Sequence, residues 1–314
     1  MNKLSKFLSE YYFYIKFMRS DFLKHYGIVK TLKGIAFFHY RKIKQLFLDI
    51  GSEKVFSVNG YKITTIPNDR GISTELSLFN THEPLSTMIL KKTVEKDMFC
   101  IDVGANIGYY TFIQANEVGE NGKVIACEPS SLNYSYLKKN LQLNQLSNVS
   151  SYNIALSDKS GTSNLMIHPT KSNLNKISNS VNTNENFENV KTLTLDELCN
   201  KLSLKKVNLI RMDVEGHELQ IMKGSIKTIK KFKPLIFMEI HTPYLNLENS
   251  FELLNMLKSN GYEIDYLIPR DLDYPFLGTE KDIKKITIDE IVYKLKEGNF
   301  PIFFAALFKS RIEP

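Results

Sequence analysis

From residue 98 onward, short apolar runs alternate with longer stretches of helical periodicity, and few architectures accept that pattern. Residues 98–103, 123–127, 149–155, 207–212, 234–240, 262–268 and 302–308 read as strands. Residues 109–118, 131–144, 217–231 and 250–260 read as the helices between them. Strands apolar on both faces, each followed by a helix, must be buried between helical layers. The predicted fold is therefore α/β, a doubly wound, Rossmann-like and mostly parallel sheet. Upstream, residues 55–66 alternate around Asn59-Gly60, a turn pair that tolerates positive φ, and predict a hairpin. Residues 87–94 predict a short helix leading into the sheet. The Asn- and Ser-rich stretch 173–189 reads as a long loop, and 269–299 as an insertion before the last strand. The expected units are a segment 1–50, a lead-in 51–95 and a sheet domain 96–314.

The net charge of +7 belongs to one end of the chain. Residues 1–50 carry ten Lys or Arg against three acidic residues, leaving 31 of each sign for the remainder. The same segment holds twelve Phe or Tyr. Charges interrupt every apolar run there, so neither a signal peptide nor a bilayer-spanning helix is expected. One or two basic, aromatic helices packed as a cap are expected, with peripheral membrane contact as the alternative. Bulky apolar residues among the charges, and the lack of any recognisable module, argue against nucleic acid as a partner. Cys100, Cys127 and Cys199 show no paired spacing. They read as core residues of a cytoplasmic protein.

The strongest local signal is Asp102-Val103-Gly104-Ala105-Asn106-Ile107-Gly108, where a buried strand turns through glycines into a helix. Ligands of doubly wound sheets bind over such turns, and Gly104 and Gly108 let the backbone approach them. Charge selects the ligand. A pyrophosphate wants helix N–H groups with no anion beside them, and Asp102 at the head of the loop is an anion. Asn106 also stands where a dinucleotide fingerprint would place its second glycine. S-adenosylmethionine carries an ammonium and a sulfonium and no phosphate, so it suits Asp102. Glu128, closing the second strand, can accept hydrogen bonds from ribose hydroxyls.

Asp213 ends the fourth strand on the same sheet edge as Asp102 and Glu128. It is expected to face the methyl group or the acceptor. His241 lies just beyond the fifth strand, and a near-neutral imidazole suits general-base work on a hydroxyl. His217 is the alternative base. Glu215 and Glu218 read as first-turn helix residues favoured by the helix dipole. A metal held by Asp213 and Glu215 is conceivable, but the spacing does not call for one, and none is expected.

Three further segments stand in order: Asn153-Ile154-Ala155-Leu156-Ser157-Asp158, Thr194-Leu195-Asp196-Glu197-Leu198, and Asn208-Leu209-Ile210-Arg211-Met212-Asp213-Val214-Glu215-Gly216-His217-Glu218. Met222-Lys223-Gly224 and Pro234-Leu235-Ile236-Phe237-Met238-Glu239-Ile240-His241 follow. With the Asp102 loop and Glu128-Pro129, these motifs resemble the FkbM family of class I methyltransferases over roughly residues 80–260. The resemblance implies a seven-stranded sheet with its last strand antiparallel. It also implies S-adenosylmethionine as cofactor, with Ala155 among the residues beside it, and O-methylation of a saccharide, glycolipid or related polar metabolite. Arg211 stands where lysine is common, and His217 where a small residue is. Two other readings remain open at this point, a nucleotide-dependent oxidoreductase and a non-catalytic binding protein on the same fold.

Overall fold

The computed structural model describes residues 22–178, 186–301 and 303–311. Helix α1 (Leu23–Leu46) opens it, followed by hairpin strands β1 (Val55–Val58) and β2 (Tyr61–Thr64). Then come α2 (Ile72–Phe79), α3 (Pro84–Thr93), β3 (Phe99–Val103), α4 (Tyr109–Val118), β4 (Lys123–Cys127), α5 (Ser131–Leu143) and β5 (Val149–Tyr152). Strands β6 (Ala155–Leu156), β7 (Gly161–Ile167), β8 (Lys176–Ser178) and β9 (Asn186–Leu193) form a second sheet. The chain continues through α6 (Leu195–Lys201), β10 (Leu209–Met212), α7 (Glu218–Lys223), α8 (Ile226–Phe232) and β11 (Leu235–His241). It closes with α9 (Thr242–Leu245), α10 (Leu247–Ser259), β12 (Tyr262–Pro269), α11 (Ile288–Lys296) and β13 (Phe303–Ser310).

The main sheet has seven strands in the order β12-β13-β11-β10-β3-β4-β5. The last strand, β13, is inserted antiparallel between β11 and β12, and the other four pairings in the row are parallel. Side chains alternate across it. Ile101, Val103, Ile125, Ile210, Met212 and Met238 pack into the core on one face. Cys100, Val124, Leu209 and Phe237 pack on the other, against α3, α4 and the hairpin. Period-two burial on both faces is what makes each strand read as a continuous apolar run.

Three expectations are corrected. Strand 149–155 does not continue unbroken: β5 stops at Tyr152, and Ala155-Leu156 leaves the main sheet to pair in parallel with β9. The predicted loop 173–189 instead supplies β8 and the start of β9, with 179–185 outside the described residues. Its Asn and Ser side chains hid the strands, because this small sheet has a thin apolar face built on Ala155, Leu165 and Val190. Helix 217–231 is two helices, broken where a Cβ on Gly224 would lie 2.1 Å from the Ser157 carbonyl oxygen.

Of the basic segment, residues 1–21 lie outside the described residues. Helix α1 bends at Gly27 (φ 76°) and buries Thr31, Gly34 and Phe37. Phe37 packs on Phe79 and Tyr274 with ring centroids 5.4 and 5.9 Å away, and Arg41 pairs with Glu75 at 3.6 Å. The opposite side exposes Ile28, Leu32, Ile43, Leu46 and Phe47. Among the described residues, no helix is long and apolar enough to cross a membrane.

Candidate active site

The carboxyl ends of β3, β4 and β10 open into one cavity lined by Gly104, Asn106, Glu128, Ala155, Asp213 and Glu215, among others. Gly104 adopts φ 80°, and a Cβ there would lie 2.1 Å from the Asp213 carbonyl oxygen. Only glycine lets the two strand ends close on each other. Gly108 (φ 103°) is not part of the cavity wall. Its missing Cβ leaves room for the Phe112 ring and Leu137, so its task is to seat α4.

Glu128 organises the loop. Its carboxylate accepts from the backbone N–H of Asn106 at 2.8 Å and of Ser130 at 2.9 Å. Burial outweighs these bonds and pushes its pKa up to about 7. Asp102 behaves differently from the expectation. It is fully buried under the loop, absent from the cavity wall, and accepts from the Thr111 hydroxyl at 2.6 Å. Arg211 is its register partner on β10, so both side chains leave the same face, with 3.5 Å between charged atoms. The anion at the head of the loop is therefore not a lone one: a guanidinium balances it.

Arg211 also donates to Asp213 Oδ2 at 2.9 Å and lies 4.2 Å from the centre of the Tyr110 ring. Beyond Asp213 sits a buried cluster around His241. Its Nδ1 meets Glu218 Oε1 at 2.7 Å. Its Nε2 faces Glu215 Oε2 at 3.4 Å, Glu239 Oε1 at 3.6 Å and Asp213 Oδ1 at 3.8 Å. Burial opposes charge on this ring, but the carboxylates of Glu239, Glu218 and Glu215 together hold its pKa well above the ordinary histidine value. The same burial raises Glu215 to about 8 and Glu239 to about 7, against the pull of His241 and Arg270. Glu215 itself sits at φ 53°, followed by Gly216 at φ 100°, a turn that aims its side chain back at the cluster.

Sequence reasoning brought Asp102, Glu128, Asp213 and His241 to one sheet edge, and the structure places them there, but in two layers. Gly104, Asn106, Glu128, Ala155 and Asp213 line the cavity, while Asp102, Gly108 and His241 stand behind it. His217 is half-buried in the wall and bonded to the Ser157 hydroxyl at 2.9 Å, not solvated. Glu218, read as a helix-turn residue, is fully buried on His241. Glu239 and Arg270 were missed. A charged residue inside an apolar strand, as in Phe237-Met238-Glu239-Ile240, is a signal in itself, since burial demands a partner. Arg270, which bonds Glu239 at 3.1 Å and Glu83 at 2.9 Å, comes from the insertion and gave none.

The family described as the methyltransferase FkbM domain matches residues 102–264, just over half the chain. Hexuronic acid methyltransferase AglP of Haloferax volcanii is 29% identical over 154 residues, 49% of this chain and 60% of that protein. Methyltransferase 1 of Beauveria bassiana is 27% identical over 147 residues, 41% of this chain and 58% of that protein. The chain thus spans no more than 60% of the length of either relative. Among solved structures, the methyltransferase FkbM of Methylobacillus flagellatus aligns at TM-score 0.38 and 20% identity, over 55% of this chain and 40% of that one.

Proposed function

This chain belongs to the FkbM methyltransferase family, and from that premise we propose that it is an S-adenosylmethionine-dependent O-methyltransferase acting on a saccharide or related polar metabolite. One observation carries the reading: the cavity over the Gly104 loop and Glu128 runs, through Asp213 and Glu215, directly onto a buried carboxylate–imidazole cluster. Donor site and proton acceptor would then share one wall.

The residues present fit the donor. Asn133 Oδ1, Ser172 Oγ and Asn173 Oδ1 are buried, have no hydrogen-bond partner among the described residues, and belong to side chains lining the cavity. Buried polar atoms left so are costly unless a polar ligand meets them. Glu128 keeps acceptor capacity beyond its two backbone bonds, enough for ribose hydroxyls. Ala155 and Gly104 supply wall without bulk. Asp102 acts through Arg211, fixing the guanidinium that orients Asp213.

S-adenosylmethionine would supply a methyl carbon made electrophilic by its cationic sulfur, which would keep the C–S electron pair and become a neutral thioether once a hydroxyl oxygen had taken the methyl group. Glu215 or Asp213, the cluster carboxylates that line the cavity, takes the hydroxyl proton, and His241 positions both from behind. Holding acceptor and methyl carbon in line contributes on the order of 7 kcal/mol, and a placed base ~10²–10⁴-fold in rate. The saccharide reading draws support from AglP and from Asn175 and Lys176 in the wall.

Purified protein, radiolabelled donor and saccharide-rich metabolite extracts test this directly. The expected product carries label that survives mild alkali, as a methyl ether does. Label lost to alkali as an ester, or no label in any hydroxyl compound, would refute the O-methylation reading.

A further inference from the structure

We propose that Asp213, Glu239 and His241 form a binding site for a hard divalent cation, Mg²⁺ or Mn²⁺ in size and charge. One ligand atom from each lies within 4.8 Å of the other two. Ligands ~2.1 Å from a shared octahedral ion stand about 3 to 4 Å apart, so the spread needs only small adjustments. Asp213 and Glu239 arrive side by side because Met212, the last residue of β10, is the register partner of Met238 within β11.

The imidazole supplies an independent observation. His241 is 3% exposed, and Glu218 clamps its Nδ1 at 2.7 Å. This is how metal-binding histidines are held, with the second nitrogen tied to a carboxylate and the first aimed inward. The inward Nε2 faces three carboxylates at 3.4 to 3.8 Å, so that all four groups point at one common space. A cation entering between these groups would take the place of the ring proton, since a ligating histidine is neutral.

Charge points the same way. Arg211 and Arg270 reach Asp213 and Glu239, but each guanidinium also faces another carboxylate, Asp102 and Glu83 respectively. Glu215 and Glu218 have no arginine of their own among the described ion pairs. Four carboxyl groups crowd one imidazole, and a divalent ion among them would offset their mutual repulsion once ionised. Oxygen-rich donors with a single nitrogen suit Mg²⁺ or Mn²⁺ rather than a thiophilic metal. With Asp213 on the ion, Glu215 is the carboxylate left facing the cavity.

The site goes beyond the methyl-transfer reading, and its test omits the methyl donor. Full-length protein stripped with a chelator is titrated with MnCl₂, following the loss of the free-ion electron paramagnetic resonance signal. One saturable site per chain is expected, weakened about tenfold or more in Asp213→Asn, Glu239→Gln and His241→Ala, and unchanged in the exposed Glu248→Gln. Folding of each variant is checked by its melting transition. If His241→Ala unfolds, the two isosteric variants decide the outcome. No saturable site at millimolar Mn²⁺, or a site that survives both isosteric changes, would overturn the proposal. Calorimetry with S-adenosylmethionine on the same samples reports the donor site separately, so failure of one reading is not mistaken for failure of the other.

Discussion

Two carboxylates that look alike in sequence end in different roles, and parity decides which. Asp102 leaves β3 on the face shared with Arg211 and is buried against it, while Glu128 lies past the end of β4 and reaches the cavity. Substituting them should therefore give different signatures. Glu128→Gln should weaken donor binding by roughly 1.5–3 kcal/mol, the range for hydrogen bonds to a charged group. Asp102→Asn should leave Arg211 underpaired in the interior, and so lower the unfolding midpoint more than the donor affinity. Burial places the Glu128 pKa at about 7, so the carboxylate is ionised above that pH and protonated below it. Donor affinity by calorimetry should fall as pH drops from 8 to 6 in the parent protein, and stay flat in Glu128→Gln. Equal pH dependence in both would assign the titration to another group.

At the scale of elements, the site exists because strand ends crowd. Gly104→Ala would drive a methyl into the Asp213 carbonyl at 2.1 Å and hold an L-residue at φ 80°. Left-handed strain alone costs ~1–3 kcal/mol, and the clash adds to it. The variant should lose both thermal stability and donor affinity, read by melting curves and calorimetry. Helix α1 is seated through one small face. Phe37→Ala should destabilise by about 3 kcal/mol in urea unfolding, because Phe37 is 8% exposed between Phe79 and Tyr274. Donor affinity should not change, since α1 contributes nothing to the cavity wall. An unaltered midpoint would mean that α1 is not a packed cap.

Across the whole molecule, a buried ionic network ties the lead-in helices, the sheet and the insertion together. Arg270 links Glu83 to Glu239, His82 bridges Glu75 at 2.6 Å and Glu83 at 3.0 Å, and Asp273 caps α3 through the N–H groups of Leu85 and Ser86. Arg270→Met should cost about 3–5 kcal/mol, because two acids lose their counter-charge at once. The His82 pair adds a pH signature. Burial opposes its charge, yet Glu83 and Glu75 raise its pKa well above the ordinary value. A raised histidine stabilises fully below its unfolded pKa of ~6.5, and the contribution fades as pH climbs through the folded value. The difference in urea midpoint between parent and His82→Ala should thus be largest near pH 6 and shrink in alkali. A difference that grew with pH would mean that His82 is neutral in the fold.

Sequence alone determined the seven strands of the main sheet, the glycine-bearing loop and the edge at which chemistry collects. Those features follow from local rules: period-two burial, turn residues and the direction in which a β–α unit runs. Tertiary structure decided what each charge does. Arg211 and Asp102 are more than a hundred positions apart, and only parallel register makes them a pair that cancels the anion weighing against a dinucleotide. Membership in the methyltransferase family, not that anion, is what sets the alternative aside. Glu218 and Glu239 became partners of His241, and Arg270 crossed from a variable insertion into the site, because ion pairing depends on distance in space and leaves no period in the chain. The polar strands β8 and β9 were hidden for the complementary reason: backbone pairing holds them, and backbone groups are the same in every sequence.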